Sequence, residues 1–357
     1  MNADIPAKAT PSIPHGSPIL TVTRNGEVLP PMREARRDAL PLLVMSLLAV
    51  LTLPLVGSLP VWATLTLAGL AMGMLLFIMA SGLTLVFGLM DVMNLGHASF
   101  VAVGAYVGVA VAALVSPVLY GTSNLMSLLG MLTVVLGAGV TSAAVGWVFE
   151  RLFVRPVYGD HLKQILVTVG ALIMIEQIIL ALWGPQQMSL LLPEAVRGTF
   201  DFAGVSVERY RLIAVVVGLL LYIGLLALFG RTRIGLVIRA GVENREMVQS
   251  LGYRIETVFV LVFAAGAALA GLGGAMWGFY REQFSSLVGA DLLVQLLIVV
   301  IIGGLGSIRG CFVGALLLAL VQNYVSYLLP ALALVSNVVV MVAVLLWRPT
   351  GLYSAGR

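Results

Sequence analysis

Cysteine and histidine are almost missing from this chain. It has one cysteine, Cys311, and three scattered histidines, His15, His97 and His161. One thiol excludes a disulfide framework, and three isolated imidazoles offer no metal-ligand spacing. Lysine is as scarce. Neither Lys8 nor Lys163 follows a glycine, so the phosphate-cradling loop Gly-x-x-x-x-Gly-Lys-Ser/Thr is absent. No cofactor is expected on this chain, and any energy from ATP has to arrive through another protein. Charged residues make up 10% of the sequence against 60% hydrophobic ones, and mean hydropathy is +1.07. That composition excludes a soluble domain. The net charge of +4 and pI near 9.4 would suggest nucleic acid in a soluble protein. Here the basic residues sit mostly in short loops flanking apolar runs, which reports topology and no nucleic-acid partner.

What is present is a succession of runs near the ~20 apolar residues that one membrane crossing needs. They cover about 40–58, 61–90, 97–115, 125–149, 164–183, 211–230, 255–279, 287–302, 311–329 and 333–346. The expected fold is an all-α polytopic transmembrane helix bundle of about ten spans, residues 39–357, behind a polar tail, residues 1–38. In that tail Asn25-Gly26 allows a small hairpin or disorder. With both termini in the cytoplasm, sixteen of the twenty Lys and Arg fall inside and Arg197, Arg209, Arg211 and Arg281 outside. No secretory signal precedes the first run, which reads as a start-in anchor. The outer loop 184–210 alternates through GTFDFAGVSVERY and predicts a short hairpin. The run from Val61 to Met90 would be ~45 Å long as a helix against a hydrocarbon core of ~30 Å, so it is expected to tilt or to break at Ser81-Gly82 or Gly88. Small residues four apart, as in Gly69-Gly73, Gly266-Ala270-Gly274 and Gly310-Gly314, predict close helix crossings.

The longest polar interruption in the second half, 231–253, holds Arg231, Arg233, Arg239, Arg245, Glu243 and Glu246. Asn244 can cap a helix over Arg245 to Leu251, and Gly252 sits where a C′ glycine would end it. Met247, Val248 and Leu251 fall at helical spacing on one side. This short cytoplasmic helix either offers that apolar strip to a partner protein or lays it on the ends of its own membrane helices.

Polar residues expected in the apolar bulk are Asp91, Asn94, His97, Glu176, Gln177, Asp291, Gln295, Asn323 and Asn337. Ionisable groups in spans are costly, so they are functional candidates by default. Glu176, in LIMIEQIIL, could equally be a protonated acid bonding a neighbouring helix, and Asp291 is expected to be solvated near an outer end. Asp91, Asn94 and His97, with Gly96 and Ser99, stand beside an expected helix break, where freed backbone groups line cavities in transporters. The same residues could instead form a satisfied loop cap. Ser81, Ser99 and His97 do not make a hydrolase, because no third group orients them.

The segment ASGLTLVFGLMDVMNLGHASFVAVGAY, residues 80–106, resembles the permease subunits of branched-chain amino-acid ABC importers, with Asn94-Leu95-Gly96-His97 and Gly104-Ala105-Tyr106 as its marks. It departs from them at Ala98, where glycine often follows the histidine. GGLGSIRG (303–310) and WRPTGLY (347–353) also match that family. In the coupling loop Glu246-Met247-Val248 and Gly252 fit the Glu-Ala-Ala frame without its alanines. The resemblance, over about 60–353, implies a multi-pass permease in a bacterial cytoplasmic (inner) membrane and not an enzyme. Its implied partners are a second permease subunit, two cytosolic ABC ATPases that use ATP and Mg, an extracytoplasmic solute-binding protein and membrane lipid. It further implies a substrate pathway at Asp91, Asn94, Gly96, His97, Ser99 and Glu176, and ATPase coupling through Glu243, Arg245, Glu246, Met247, Val248, Leu251 and Gly252. Branched-chain amino acids are the implied substrate, with urea or short amides as alternatives. A stand-alone secondary transporter or channel, using Glu176 and Asp91 as ion-coupling groups, is the competing reading.

Overall fold

The computed structural model describes residues 32–121, 123–202, 204–232, 235–237, 240–241, 245–252 and 254–353, without the side chains of 32–39, 202, 245 and 246. The expected hairpin near Asn25 and the residues Arg233, Arg239, Glu243 and Asn244 lie outside them. The chain divides into two compact units, Met1–Val44 and Met45–Arg357. The first contributes only the opening turns of α1, Met32–Val56, to the described part. All that follows belongs to the second.

After α1 come α2 (Leu59–Met90), α3 (His97–Leu114), a single turn α4 (Ser116–Leu119), α5 (Asn124–Phe149), α6 (His161–Trp183) and α7 (Arg209–Arg231). The short α8 (Arg245–Ser250) precedes α9 (Ile255–Arg281), α10 (Val288–Gly303), α11 (Ile308–Leu328) and α12 (Ala333–Trp347). Among the described residues, eight helices are long and apolar enough to cross a membrane, and Leu40–Val56 and Val288–Gly303 are shorter apolar helices. Together they account for the ten apolar runs of the sequence. The protein is an all-α polytopic membrane bundle.

Two small antiparallel pairs decorate it. The predicted hairpin is β2 (Thr199–Phe202) with β3 (Val205–Glu208), in register Thr199 to Glu208 and Phe202 to Val205. Less expected, β1 (Met188–Ser189) pairs with β4 (Gln283–Phe284), tying the long loop to the chain between α9 and α10.

The expectation of a break within 61–90 is corrected, because α2 runs unbroken from Leu59 to Met90. Mismatch with lipid does not apply to a helix whose most apolar stretch is 83% buried inside the protein. At the expected weak point the hydroxyls bond back within the helix, Ser81 Oγ donating to Ile78 O at 2.8 Å and Thr84 Oγ1 to Ala80 O at 2.9 Å. The break falls after α2, at 91–96.

The core is α2 and α9, which pack on each other and, between them, on α3, α5, α7, α10 and α11. Glycines set the spacing. A Cβ on Gly69 or Gly73 would meet Leu320 and Leu316 of α11 at 2.9 Å, and Gly104 of α3 lies on the backbone of Gly271 of α9 with no room for a side chain. That is the close approach that small residues permit between membrane helices. Gly104→Val is therefore expected to reduce stability by at least about 2 kcal/mol. Gly224→Val, at a position with nothing within 4 Å, should stay within about 0.5 kcal/mol of the parent. Thermal unfolding of the two purified variants makes the comparison.

Candidate functional site

The chain leaves α2 through Asp91, in the left-handed region at φ 51, a conformation that Asp tolerates better than most side chains. It then turns back into the bundle. The ring Nε2 of His97, the first residue of α3, lies 3.1 Å from Met79 O, about three turns before the end of α2. So α3 starts beside the body of α2, and residues 91–96 are non-helical backbone carried inward. Val92, Asn94 and Gly96 along it are buried.

Backbone groups away from water need partners, and α6 supplies them. Met93 N donates to Gln164 Oε1 at 3.0 Å, and Leu95 N to Thr168 Oγ1 at 3.2 Å. Gln164 and Thr168 are 1% and 0% exposed. Asp160 opens α6 by accepting from Lys163 N at 3.1 Å, and that hydrogen bond holds its carboxyl below the usual carboxylate range. Sequence reasoning missed Gln164 and Thr168. The available signal was their spacing of four, which puts both on one face of α6.

The side chains of the break are not all satisfied. Ser99 Oγ donates to Gly96 O at 2.7 Å, which makes Ser99 a first-turn brace. Asn94 is fully buried, yet neither its Oδ1 nor its Nδ2 has a partner. Because a carbonyl can only accept, Nε2 of His97 carries the proton, and the neutral ring's Nδ1 is then an acceptor. That Nδ1 is also buried without a partner. The ring fits because residue 82 is glycine, where a Cβ would meet His97 Cε1 at 2.9 Å and strike Gly266 O.

A second helix starts at this depth. A Cβ on Gly289, in the first turn of α10, would lie 2.6 Å from Ala98 O. The starts of α3 and α10 therefore abut. Glu176 of α6 stands beside the Ala290 backbone amide in that turn, near Asp291, with Oε1 buried and unpartnered. Asn94, Gly96, His97 and Ser99 thus form one turn, and Glu176 approaches the same junction from α6.

Other expected positions differ. Asp91 is exposed, with His161 Nε2 4.0 Å away, so it stands outside the buried part of the break. Gln177 is exposed as well, turning away from the helix packing that buries Glu176, whereas Asp291 is exposed as expected, beside the buried Leu292. Asn323 donates to Leu65 O and Asn337 to Gln322 Oε1, joining α11 to α2 and to α12.

The coupling segment has the expected shape in its described part. Gly252 has φ +88 and closes on Gln249 O at 2.9 Å, as a C′ glycine does. The three apolar residues do not share one exposed strip. Met247 and Leu251 are exposed, whereas Val248 is buried in the cluster that includes Ile255 and Phe259, where α8 lies on α9. The loop 303–310 and the closing 347–353 meet, with Leu352 N donating to Ile302 O at 2.8 Å and Tyr353 N to Gly303 O at 3.0 Å.

Residues 65–347 match the family described as "Branched-chain amino acid transport system / permease component". The chain belongs to this family of permeases. It is 26% identical over 289 residues to the high-affinity branched-chain amino acid transport system permease protein LivH of Escherichia coli K12, a match spanning 80% of this chain and 92% of the relative. LivH of Salmonella typhimurium matches to the same extent, and BraD of Pseudomonas aeruginosa is 26% identical over 293 residues, 80% of this chain and 93% of the relative.

Thr168 helps order the break through one hydroxyl, which accepts from Leu95 N. Thr168→Val leaves Leu95 N unpaired and is expected to cost about 1–3 kcal/mol in thermal unfolding, while Thr168→Ser should keep most of the stability.

Proposed function

We propose that the chain is the membrane-spanning permease of an ATP-driven importer for branched-chain or related amino acids. In this reading it works with a second permease subunit, two cytosolic ATPases that hydrolyse ATP with Mg, and an extracytoplasmic solute-binding protein. It sits in a cytoplasmic membrane with both termini inside. Its relatives' names carry the substrate class. The observation that carries the site is the unpartnered Asn94 amide and His97 Nδ1 at a break within the bundle. Buried polar atoms left unpaired cost about 1–3 kcal/mol each, an expense that a passing polar solute or water would relieve. Glu176 Oε1 adds an acceptor at the junction of α3 and α10, suited to the ammonium group of an amino acid. Asp91 lies at the exposed end of the break, Gly96 gives the turn its room, and Ser99 braces it.

Coupling would run from the ATPase to α8. Met247 and Leu251 are exposed for docking, with Glu243, Arg245 and Glu246 as polar rim and Gly252 ending the helix. Val248 would carry the push inward to α9. From there the start of α9 is joined to the chain after α5 by the Arg155–Glu256 ion pair and the Tyr158–Phe259 ring contact. That chain leads into α6, whose Gln164 and Thr168 hold the break. A movement of α8 thus has a route of direct contacts to residues 93–95.

Two variants test the reading in cells that carry the partner subunits. Asn94→Leu removes buried atoms that have no partner, so stability should be unchanged or higher while leucine uptake falls roughly tenfold, the equivalent of one ~1.4 kcal/mol hydrogen bond. Unimpaired uptake would refute the pathway role of Asn94. Leu251→Asp should release the ATPase from the affinity-purified chain and stop transport, and intact association with intact uptake would sink the docking role of α8.

A further inference from the structure

Between α5, α7 and α9 lies a cavity of about 200 Å³. Its walls are Leu128 and Leu132 of α5, Ile213 and Val217 of α7, and Met276 of α9, with Tyr210 beside them. Leu128 and Leu132 are 40% and 51% exposed, so the cavity opens sideways through the α5 wall, toward what is lipid in a membrane bundle. The Tyr210 hydroxyl donates to Met276 O at 2.6 Å, which leaves an almost wholly apolar hollow.

One end of this hollow is cationic. Arg209 stands one turn from Ile213 on the same face of α7. Its guanidinium lies over the Phe200 ring, and its Nε is buried without a partner. Tyr280 neighbours Tyr210, and around Tyr280 gather Arg211, Arg281 and Glu208. Glu208 is taken by Arg211 at 2.7 Å, whereas Arg281 has no ion pair among the described residues. Behind it Tyr210 and Trp277 are buried, with the half-buried Tyr280 against the Trp277 ring. Arg209, one turn from the apolar hollow, and Arg281, which no glutamate neutralises among the described residues, match an anionic headgroup joined to an acyl chain.

We propose that this groove holds an anionic phospholipid, its phosphate between Arg209 and Arg281 and part of one acyl chain in the cavity. The site is separate from the break at 91–96 and does not depend on what the permease carries.

Native mass spectrometry of the full chain, purified in detergent and titrated with phosphatidylglycerol or phosphatidylcholine of matched chains, tests this. The wild-type protein should retain phosphatidylglycerol at least about fivefold better, the expected effect of one arginine near a headgroup. The combined Arg209→Gln and Arg281→Gln variant should lose that preference, and Leu132→Trp, which fills the hollow from its exposed wall, should lower retention of both lipids. Equal retention of the two lipids by the wild-type protein overturns the proposal without any variant. A preference that survives the arginine substitutions, or retention unaffected by Leu132→Trp, overturns it as well.

Discussion

Backbone inside a membrane must find its hydrogen-bond partners within the protein, and this permease spends that constraint on six residues. A helix interior satisfies itself, which is why the twelve described helices need little comment. Residues 91–96 cannot. They turn back beside α2, and their amides at Met93 and Leu95 rely on Gln164 and Thr168. The position of α3 follows from that turn, the crossing of α3 over α9 at Gly104 and Gly271 follows from the position of α3, and α5 closes the layer by giving Ser142 Oγ to Phe100 O at 3.3 Å. Loosening the two α6 side chains would reach all of these contacts.

Much of this could be read from composition and period. Apolar runs of the right length mark helices whatever their neighbours, so the ten runs, the hairpin at 199–208 and the C′ glycine at 252 were legible. The faces of those helices were not. Every span is apolar all round, so periodicity carries no signal about which side meets protein. Thus Glu176 and Gln177, adjacent in sequence and alike in setting, end as a buried and an exposed residue. Likewise Val248 turns inward between Met247 and Leu251, because a six-residue helix lying on α9 has to bury something. A tilt or a break within α2 was expected because length was judged against lipid, while α2 lies against protein. Asn94 and His97 were legible as candidates from their polarity. Gln164 and Thr168 went unread because polar residues near the start of a span look like ordinary interfacial ones.

Two helix starts facing each other are an unusual arrangement electrostatically. Each carries the partial positive charge of a helix N-terminus, and away from bulk water the repulsion is less screened. Gly289 against Ala98 O brings the starts of α3 and α10 together. Glu176 is the acidic side chain beside them, with the Ala290 amide against it. This gives Glu176 a standing structural task and also leaves Oε1 over for a visitor. The two roles are compatible, since a carboxylate that holds one amide with one oxygen can meet a cation with the other. In the proposed reading an ammonium group would meet Oε1 while the Ala290 amide stays in place, so one side chain would link the solute to α6 and α10 together.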